Sequence, residues 1–195
     1  MPADGPADVA ADSPFIHPTA VVEDGVTIGP GTRVWHHAHL RAGAVLGSGC
    51  VLGKNVFVDT GVRIGSGAKV QNNASIYRGV TVGDDVFVGP GVAFANDLRP
   101  RAHRADWTLT ETIVHDGASI GANATIVCGL ELGRDCMVAA GAVVTRSVAP
   151  NQLVAGVPAR HQGWVCRCGE LVARAPDAQA PYLCAQCAQR AKRLL

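Results

Sequence analysis

The chain has 195 residues, a net charge of +1, 48% hydrophobic residues and only 5% aromatic residues. Its length fits one main domain with a small appendage. The near-neutral charge gives no electrostatic footprint for nucleic acid, and no segment reaches the roughly 18 continuous apolar residues of a membrane span. The sequence therefore argues against nucleic-acid binding and against insertion into a membrane.

A short lead-in precedes the patterned part of the chain. Residues 1–14, "MPADGPADVAADSP", contain neither a basic start nor an apolar run, so they do not have the features of a secretory signal. We expect a disordered lead-in and a cytoplasmic protein.

A six-residue period dominates the chain after the lead-in. Aliphatic residues or phenylalanine recur at every sixth position from Ile16 to Phe94 and again from Val114 to Val144, which makes 20 positions. Small or apolar residues follow most of them four positions later, and Gly, Asn, Asp and Ser fill the places between, where turns form readily. An α-helix would need apolar spacings of three and four. The period therefore predicts one short strand and one turn per hexad.

Three such hexads would close a triangular coil with its aliphatic side chains inside. Successive coils would pair their backbones about 4.8 Å apart. Twenty hexads make six to seven coils, a prism about 32 Å long at that spacing. We predict an all-β protein whose parallel β-helix of hexapeptide repeats covers residues 15–150, and a core too narrow for many aromatic rings.

The first departure from the pattern is "VWHHAHL", which places His36, His37 and His39 on one coil. A trimeric carbonic anhydrase of the same prism shape binds zinc through histidines of neighbouring subunits. That family uses a later pair of histidines five apart, where this chain has only His103 and His115. We therefore expect no metal at this coil: His37 has a structural or hydrogen-bonding role, and His36 and His39 line a subunit interface.

The second departure is "KVQNNASIY" at 69–77. Asparagines in a stacked prism often cap the turn of the next coil. Ligand binding and turn capping are equally open for Asn72 and Asn73 at this point.

The third departure is the interruption at 95–112, "ANDLRPRAHRADWTLTET". Each charge in it, taken singly, fits a solvated loop. A loop of this length without regular structure is usually a lid or a binding loop, so we predict a functional loop here.

Three later motifs carry a family resemblance. "GANATIVCG", "AGAVVTRSV" and "AGVPAR", in this order, resemble the closing coils of acetyl-CoA-dependent hexapeptide acyltransferases. Together with "VWHHAH", "KVQNNASIY", "DDVFVGPGVAFAND" and "GWVC", they resemble the N-acetyltransferases of nucleotide-linked 3-amino sugars. The enzymes that acetylate UDP-2-acetamido-3-amino-2,3-dideoxyglucuronate are most similar, followed by the dTDP-3-amino-6-deoxyhexose acetyltransferases. The resemblance covers about 15–165, but this chain has Ala95-Asn96 for Thr-Asn and Arg99-Pro100-Arg101 for Asn-Pro-Arg.

The resemblance implies a left-handed coil, a homotrimer with active sites between subunits, and acetyl-CoA as co-substrate. It implies that Asn96 orients the sugar amine. It implies that backbone groups near five small residues hold the pantetheine: Gly121, Ala122, Ala140, Gly141 and Ala142. Arg160 and Arg146 would then pair with the coenzyme phosphates. The residues expected to face the nucleotide sugar are Asn72, Asn73, Tyr77, Arg99 and Arg101. Polysaccharide biosynthesis and secondary-metabolite glycosylation are both compatible pathways.

Acetyl transfer to such an amine does not require a strong base. A sugar amine flanked by electron-withdrawing groups should titrate near the α-amino range, about 8, so much of it is already neutral. By the resemblance, Asn96 is preferred as the catalytic residue over any histidine. His36 and His103 are further candidates for a general base, with an exposed or interface position as the alternative for each.

The tail after the connector at 151–165 contains Cys166, Cys168, Cys184 and Cys187 as C-x-C, fifteen residues, C-x-x-C. Two thiolate pairs suit one tetrahedral zinc, so 166–195 is predicted to be a small zinc-ribbon-like tail with a stabilising or docking role. Free thiols are the alternative, and disulfides rank last because we expect a cytoplasmic protein.

The remaining cysteines are expected to be structural. Cys50 and Cys136 occupy inward positions of the coils. Cys128 falls on an outward position, where packing is still its expected role.

Two other functions compete with the acetyltransferase. A non-enzymatic β-solenoid scaffold would have neither the long loop nor the coenzyme motifs. A zinc hydratase on the same prism is disfavoured by the missing histidine pair.

Overall fold

The computed structural model describes residues 13–104, 106–174 and 183–192, and it confirms the left-handed parallel β-helix. Strands are numbered in chain order. Each of the first 20 strands ends on one of the 20 periodic positions, and each of the first 17 is hydrogen-bonded to the strand three further along. The lead-in expected at 1–14 lies outside the described residues except for its last two.

The strands form three parallel sheets, one for each side of the prism. The first sheet contains β1 (Phe15–Ile16), β4 (Arg33–Val34), β7 (Val51–Leu52), β10 (Lys69–Val70), β13 (Phe87–Val88), β16 (Ser119–Ile120), β19 (Met137–Val138) and β21 (Gln152–Ala155). The second contains β2 (Val21–Val22), β5 (His39–Leu40), β8 (Phe57–Val58), β11 (Ser75–Ile76), β14 (Ala93–Phe94), β17 (Thr125–Ile126) and β20 (Val143–Val144). The third contains β3 (Thr27–Ile28), β6 (Val45–Leu46), β9 (Arg63–Ile64), β12 (Val80–Val82), β15 (Thr112–Val114) and β18 (Glu131–Leu132).

The strand register follows directly from the hexad. Arg33 pairs with Val51, and Val51 pairs with Lys69, so partners lie 18 residues apart. Across the long loop the partners Phe87 and Ser119 lie 32 residues apart, yet the ladder continues without a shift. The insertion therefore leaves the prism as a loop and does not distort the stacking.

The core is the column of inward side chains along the axis. From Val34 onward the second residue of every two-residue strand is buried. In the first coil Ile16 and Val22 are instead 41% and 37% exposed, because within the described residues no coil stacks on their outer side. Burial of this column is the main force that holds the prism together.

Polar and thiol groups occupy a few of the inward positions. Thr32 is fully buried, and its hydroxyl donates to the Gly47 carbonyl at 2.7 Å and accepts from the Cys50 N–H at 3.0 Å. Cys50 and Cys136 lie in the core as predicted, and burial raises the pKa of Cys136 to about 12. Cys128 does not belong to the core cluster, but it is only 2% exposed beside the turn where the long loop returns, in agreement with the packing role predicted for it.

The last coil differs from the sequence expectation. Strand β21 lacks the hexad but pairs in parallel with β19, which gives the first sheet eight parallel strands against the predicted six to seven coils. Strand β22 (Arg160–Val165) then folds back antiparallel on β21, and β23 (Leu171–Arg174) pairs antiparallel with β22. The helix α1 (Ala185–Lys192) follows, and no helix among the described residues is long and apolar enough to span a bilayer.

Candidate active site

Two edges of the prism border the outer face of the second sheet. The first edge consists of the turns between the first and second sheets, at 17–20, 35–38, 53–56, 71–74, 89–92, 121–124 and 139–142. The second edge consists of the connections between the second and third sheets, at 23–26, 41–44, 59–62, 77–79, 95–111, 127–130 and 145–147. All the catalytic, nucleotide-sugar and pantetheine residues predicted from the sequence lie on one of these two edges.

The five small residues expected to hold the pantetheine form two neighbouring turns of the first edge. The N–H of Gly141 donates to the carbonyl of Ala122 at 2.8 Å, which joins the two turns. A side chain on Gly121 would collide with the backbone nitrogen of Ala140. Glycine is therefore required at 121 by the close stacking of the coils, independently of any ligand.

The asparagines of the first edge cap turns. Asn72 accepts a hydrogen bond from the backbone N–H of Lys54 at 2.8 Å, and Asn73 accepts one from the amide of Asn55 at 3.0 Å. Asn55 and Asn73 adopt left-handed backbone conformations, with φ of 58° and 61°, which asparagine tolerates better than most residues. The capping role, open at the level of sequence, is thus present in the structure.

His36 lies on the first edge, far from the pantetheine residues of the same chain. Four coils separate it from Ala122, about 19 Å along the axis at the usual strand spacing. Its exposed ring lies 3.6 Å from the ring centroid of His17 and stacks at 6.1 Å on Trp35. Desolvation and electrostatic repulsion from the neighbouring imidazoles lower the pKa of His17.

The other two histidines of that coil, His37 and His39, both take part in hydrogen bonds. The backbone N–H of His37, at φ 56°, donates to the hydroxyl of Thr19 at 3.1 Å. The ring of His39 lies 2.8 Å from a carboxylate oxygen of Glu23. The backbone N–H of Ala42, the His39 ring and Arg41 hold the pKa of Glu23 below its usual range. His39 is thus part of a surface hydrogen-bond network.

The long loop leaves the second edge directly after β14 and begins with Asn96. The N–H of Ala95 still donates to the Ile126 carbonyl at 2.9 Å, so half-buried Asn96 follows the last residue held in the ladder. Tyr77 lies in the turn of the preceding coil, two residues beyond the Ser75–Ala93 pair. Its ring is 39% exposed and lies 5.6 Å from that of Phe57. The structure thus brings Asn96 and Tyr77 onto adjacent coils of the second edge.

The loop returns to the prism through two contacts with glycine-containing turns. Leu109 packs over Gly79, whose carbonyl accepts from the N–H of Thr112 at 2.9 Å. The carbonyl of Glu111 accepts from the N–H of Gly129 at 3.1 Å. Both ends of the loop are therefore anchored to the ladder.

The loop borders an open pocket of about 210 Å³. Its lining consists of Asp97, Leu98, Arg99, Arg104, Trp107, Thr108 and Thr110. Arg104 forms two hydrogen bonds with the Asp106 carboxylate, at 3.0 and 3.1 Å, and this pairing lowers the pKa of Asp106 and raises that of Arg104. The ion pairs of the described residues include neither Arg99 nor Arg101. His103 is exposed on the same loop.

A second cavity, of about 270 Å³, brings Arg146 and Arg160 together. It is lined by the end of β20, the start of β22 and the connection between them. His161 also lines it, although no sequence motif selects that residue, and its buried Nδ1 has no hydrogen-bond partner among the described residues. The N–H of Ala159 donates to the Val143 carbonyl at 2.8 Å, so this cavity adjoins the small-residue turn at 139–142.

The four tail cysteines converge, as their spacing predicts. Their Sγ atoms all lie within 4.8 Å of one another, and those of Cys168 and Cys184 are 3.6 Å apart. Burial alone would raise the pKa of Cys166, but hydrogen bonds from the backbone N–H groups of Cys168 and Cys184 and from neighbouring thiols lower it to about 7. Interactions with the thiols of Cys168, Cys166 and Cys184 raise the pKa of Cys187 to about 12.

Family comparisons identify the repeat. Residues 61–96 and 111–146 match the family described as bacterial transferase hexapeptide (six repeats), and 43–78 match the hexapeptide repeat of succinyl-transferase. Over 42 residues the chain is 48% identical to the acyl-[acyl-carrier-protein]–UDP-N-acetylglucosamine O-acyltransferase of Brucella ovis. That match covers 22% of this chain and only 15% of the relative's length.

Solved structures with the same fold include two informative neighbours. PerB from Caulobacter crescentus, in complex with CoA and GDP-perosamine, is 25% identical with a TM-score of 0.52, covering 78% of this chain and 58% of PerB. A hexapeptide transferase family protein from Anaplasma phagocytophilum is 17% identical with a TM-score of 0.53, covering 80% and 81%. The latter supports the fold alone.

Proposed function

We propose that this chain, which carries the hexapeptide repeats of the bacterial transferases, is an acetyl-CoA-dependent N-acetyltransferase acting on a nucleotide-linked amino sugar. One observation supports the proposal most strongly. The small-residue turns at 121–124 and 139–142 lie next to the cavity that is lined by Arg146 and Arg160. A strip of small residues that leads to two guanidinium groups suits an extended chain with terminal phosphates. The complex of PerB with CoA and GDP-perosamine supports the same class of ligands.

In this proposal the neutral sugar amine attacks the thioester carbonyl. The C–N bond forms, the C–S bond breaks, and the proton of the amine passes to the departing thiolate. Asn96 binds and orients the amine, which lowers the barrier mainly by positioning. His103 and His36 are the histidines available for proton transfer, but the chemistry does not require either of them.

The nucleotide sugar would lie against the second edge. Tyr77 offers an exposed ring for a base or a sugar, and Arg99 and Arg101 offer cations to the diphosphate. Among candidate sugars we favour a UDP-linked 3-amino uronate, because its carboxylate would give one of the two arginines a further partner. A dTDP-linked 3-amino-deoxyhexose is next, and PerB adds GDP-linked amino sugars to the range to be tested.

The two edges suggest how the site is completed. Asn96 lies on the second edge, whereas the small-residue turns and the capping asparagines lie on the first, with the whole second sheet between them. We propose a homotrimer in which the second edge of one chain lies against the first edge of its neighbour. Light scattering should give three times the 20.1 kDa chain mass, and an active monomer would contradict this arrangement.

The proposed activity is tested by thiol release from acetyl-CoA against a panel of UDP-, dTDP- and GDP-linked amino sugars, with the free amino sugars as controls. We expect turnover with one nucleotide-linked sugar and none with its free form. Coenzyme binding without turnover across the panel would overturn the sugar assignment. Absence of coenzyme binding would overturn the assignment as an acetyltransferase and favour the non-enzymatic scaffold.

A further inference from the structure

We propose that the four tail cysteines bind one zinc ion, and that this ion anchors strand β22 and with it Arg160 and His161. Zinc bound by four thiolates at about 2.3 Å requires sulfur–sulfur separations near 3.8 Å. The Cys168–Cys184 distance is 3.6 Å, and all four Sγ atoms fit within 4.8 Å. A tetrahedral set of four thiolates selects zinc or iron among the common metals, and zinc is the ion of closed structural sites.

Two separate pieces of backbone supply the ligands. At the end of β22, the N–H of Gly169 donates to the Cys166 carbonyl at 2.7 Å, and the N–H of Cys166 donates to the Glu170 carbonyl at 2.8 Å. This tight turn presents Cys166 and Cys168. Cys184 precedes α1 and Cys187 lies in its first turn. An eight-residue helix is too short to be stable alone in water, so the ion would also be what holds α1 in place.

The turn is attached to the last coil of the prism. Asn151 is 8% exposed, its amide donates to the Val165 carbonyl at 3.0 Å, and its own carbonyl accepts from the Val165 N–H at 2.8 Å. Gly169 lies against the side chain of Met137. Cys166, directly after Val165, is itself 1% exposed. The cluster therefore rests on the solenoid and does not hang from a free tail.

Strand β22 connects the cluster to the arginine cavity without a break. It runs from Arg160 to Val165, so the cavity residues Arg160 and His161 stand at one end and the first cysteine follows the other. The strand pairs with β21 on one side and with β23 on the other. An ion bound directly after the last residue of β22 would fix that end of the strand and limit fraying of both pairings. The effect on the cavity rests on the proposed function, whereas zinc binding does not.

The test begins with elemental analysis of the full chain purified without added metal. We expect about one zinc per chain. The double variant Cys184→Ser/Cys187→Ser should lose the zinc, and Cys128→Ala, which removes a buried cysteine outside the cluster, should keep it. The assignment would be overturned if the protein contained no zinc, if it contained iron instead, or if its intact mass showed disulfide-linked cysteines.

Hydrogen exchange then tests the anchoring independently of any activity. Chelation of the zinc should increase amide exchange in residues 160–174 several-fold and leave the coils at 45–94 unchanged. Unchanged exchange at 160–174 after the metal is lost would overturn the anchoring. If zinc and protection are present while acetyl-CoA does not bind, this proposal stands and the proposed function fails.

Discussion

Replacement of Asn96 by alanine should lower kcat/KM for acetyl transfer about 100-fold, the usual cost of misplacing a reactant by a small distance. Asn96 follows Ala95, the last residue of its segment that is fixed in the strand ladder, so its position is set by the solenoid and not by the loop. Asn96→Asp keeps the size but removes the amide donor, and it should lose activity to a similar extent. Steady-state thiol release measures both variants.

Variants of Leu98 in the same loop and of two histidines serve as controls for Asn96→Ala. Leu98→Ala changes a side chain that is 58% exposed two residues away, and it should change kcat/KM less than about threefold. His103→Ala and His36→Ala should each retain more activity than Asn96→Ala. A larger loss with either histidine than with Asn96 would contradict the assigned role and identify a general base.

Replacement of Phe94 by alanine should lower the free energy of unfolding by about 3–5 kcal/mol, the usual cost of truncating a buried aromatic ring. Phe94 is the largest fully buried side chain among the described residues, and it fills the narrow column just before the long loop begins. The neighbouring coils are fixed by backbone hydrogen bonds and cannot collapse into the space. Urea unfolding at one fixed protein concentration measures the change.

Ile16→Ala is the matched control for the core. Ile16 occupies the same position of the hexad but is 41% exposed in the first coil, so its truncation should cost less than about 1 kcal/mol. If both variants lost the same free energy of unfolding, burial in the column of inward residues would not be what determines stability.

The solenoid was predictable from the sequence because its signal is repeated 20 times. Each hexad buries one side chain at the same place, from Val34 to Val144, so errors at single positions cannot change the result. Strand β21 was missed because Gln152–Ala155 lacks the repeat and joins the sheet only through pairing with β19. Its neighbour β22 was missed because the reversal at 156–159 carries no hexad signal.

The candidate site was predictable only in part. The motif that selected Arg146 and Arg160 did not indicate His161, because its place in the cavity depends on the antiparallel return of β22. The pattern "QNN" left two roles open for Asn72, and the hydrogen bond to the Lys54 N–H shows the capping role. The spacing of the four tail cysteines was enough to predict that they group together. The burial of Cys128, in contrast, depends on the path by which the long loop returns, which no local pattern encodes.

Treatment of the isolated product with alkaline hydroxylamine distinguishes acetyl transfer to nitrogen from acetyl transfer to oxygen. The Brucella ovis relative, which matches over 42 residues, is by its name an O-acyltransferase of UDP-N-acetylglucosamine, so acetyl transfer to oxygen is the alternative that must be tested. An amide withstands alkaline hydroxylamine, whereas an oxygen ester is cleaved to the hydroxamate. We predict that radiolabelled acetyl remains on the nucleotide sugar after treatment; its quantitative release would contradict N-acetyl transfer and make the protein an O-acetyltransferase.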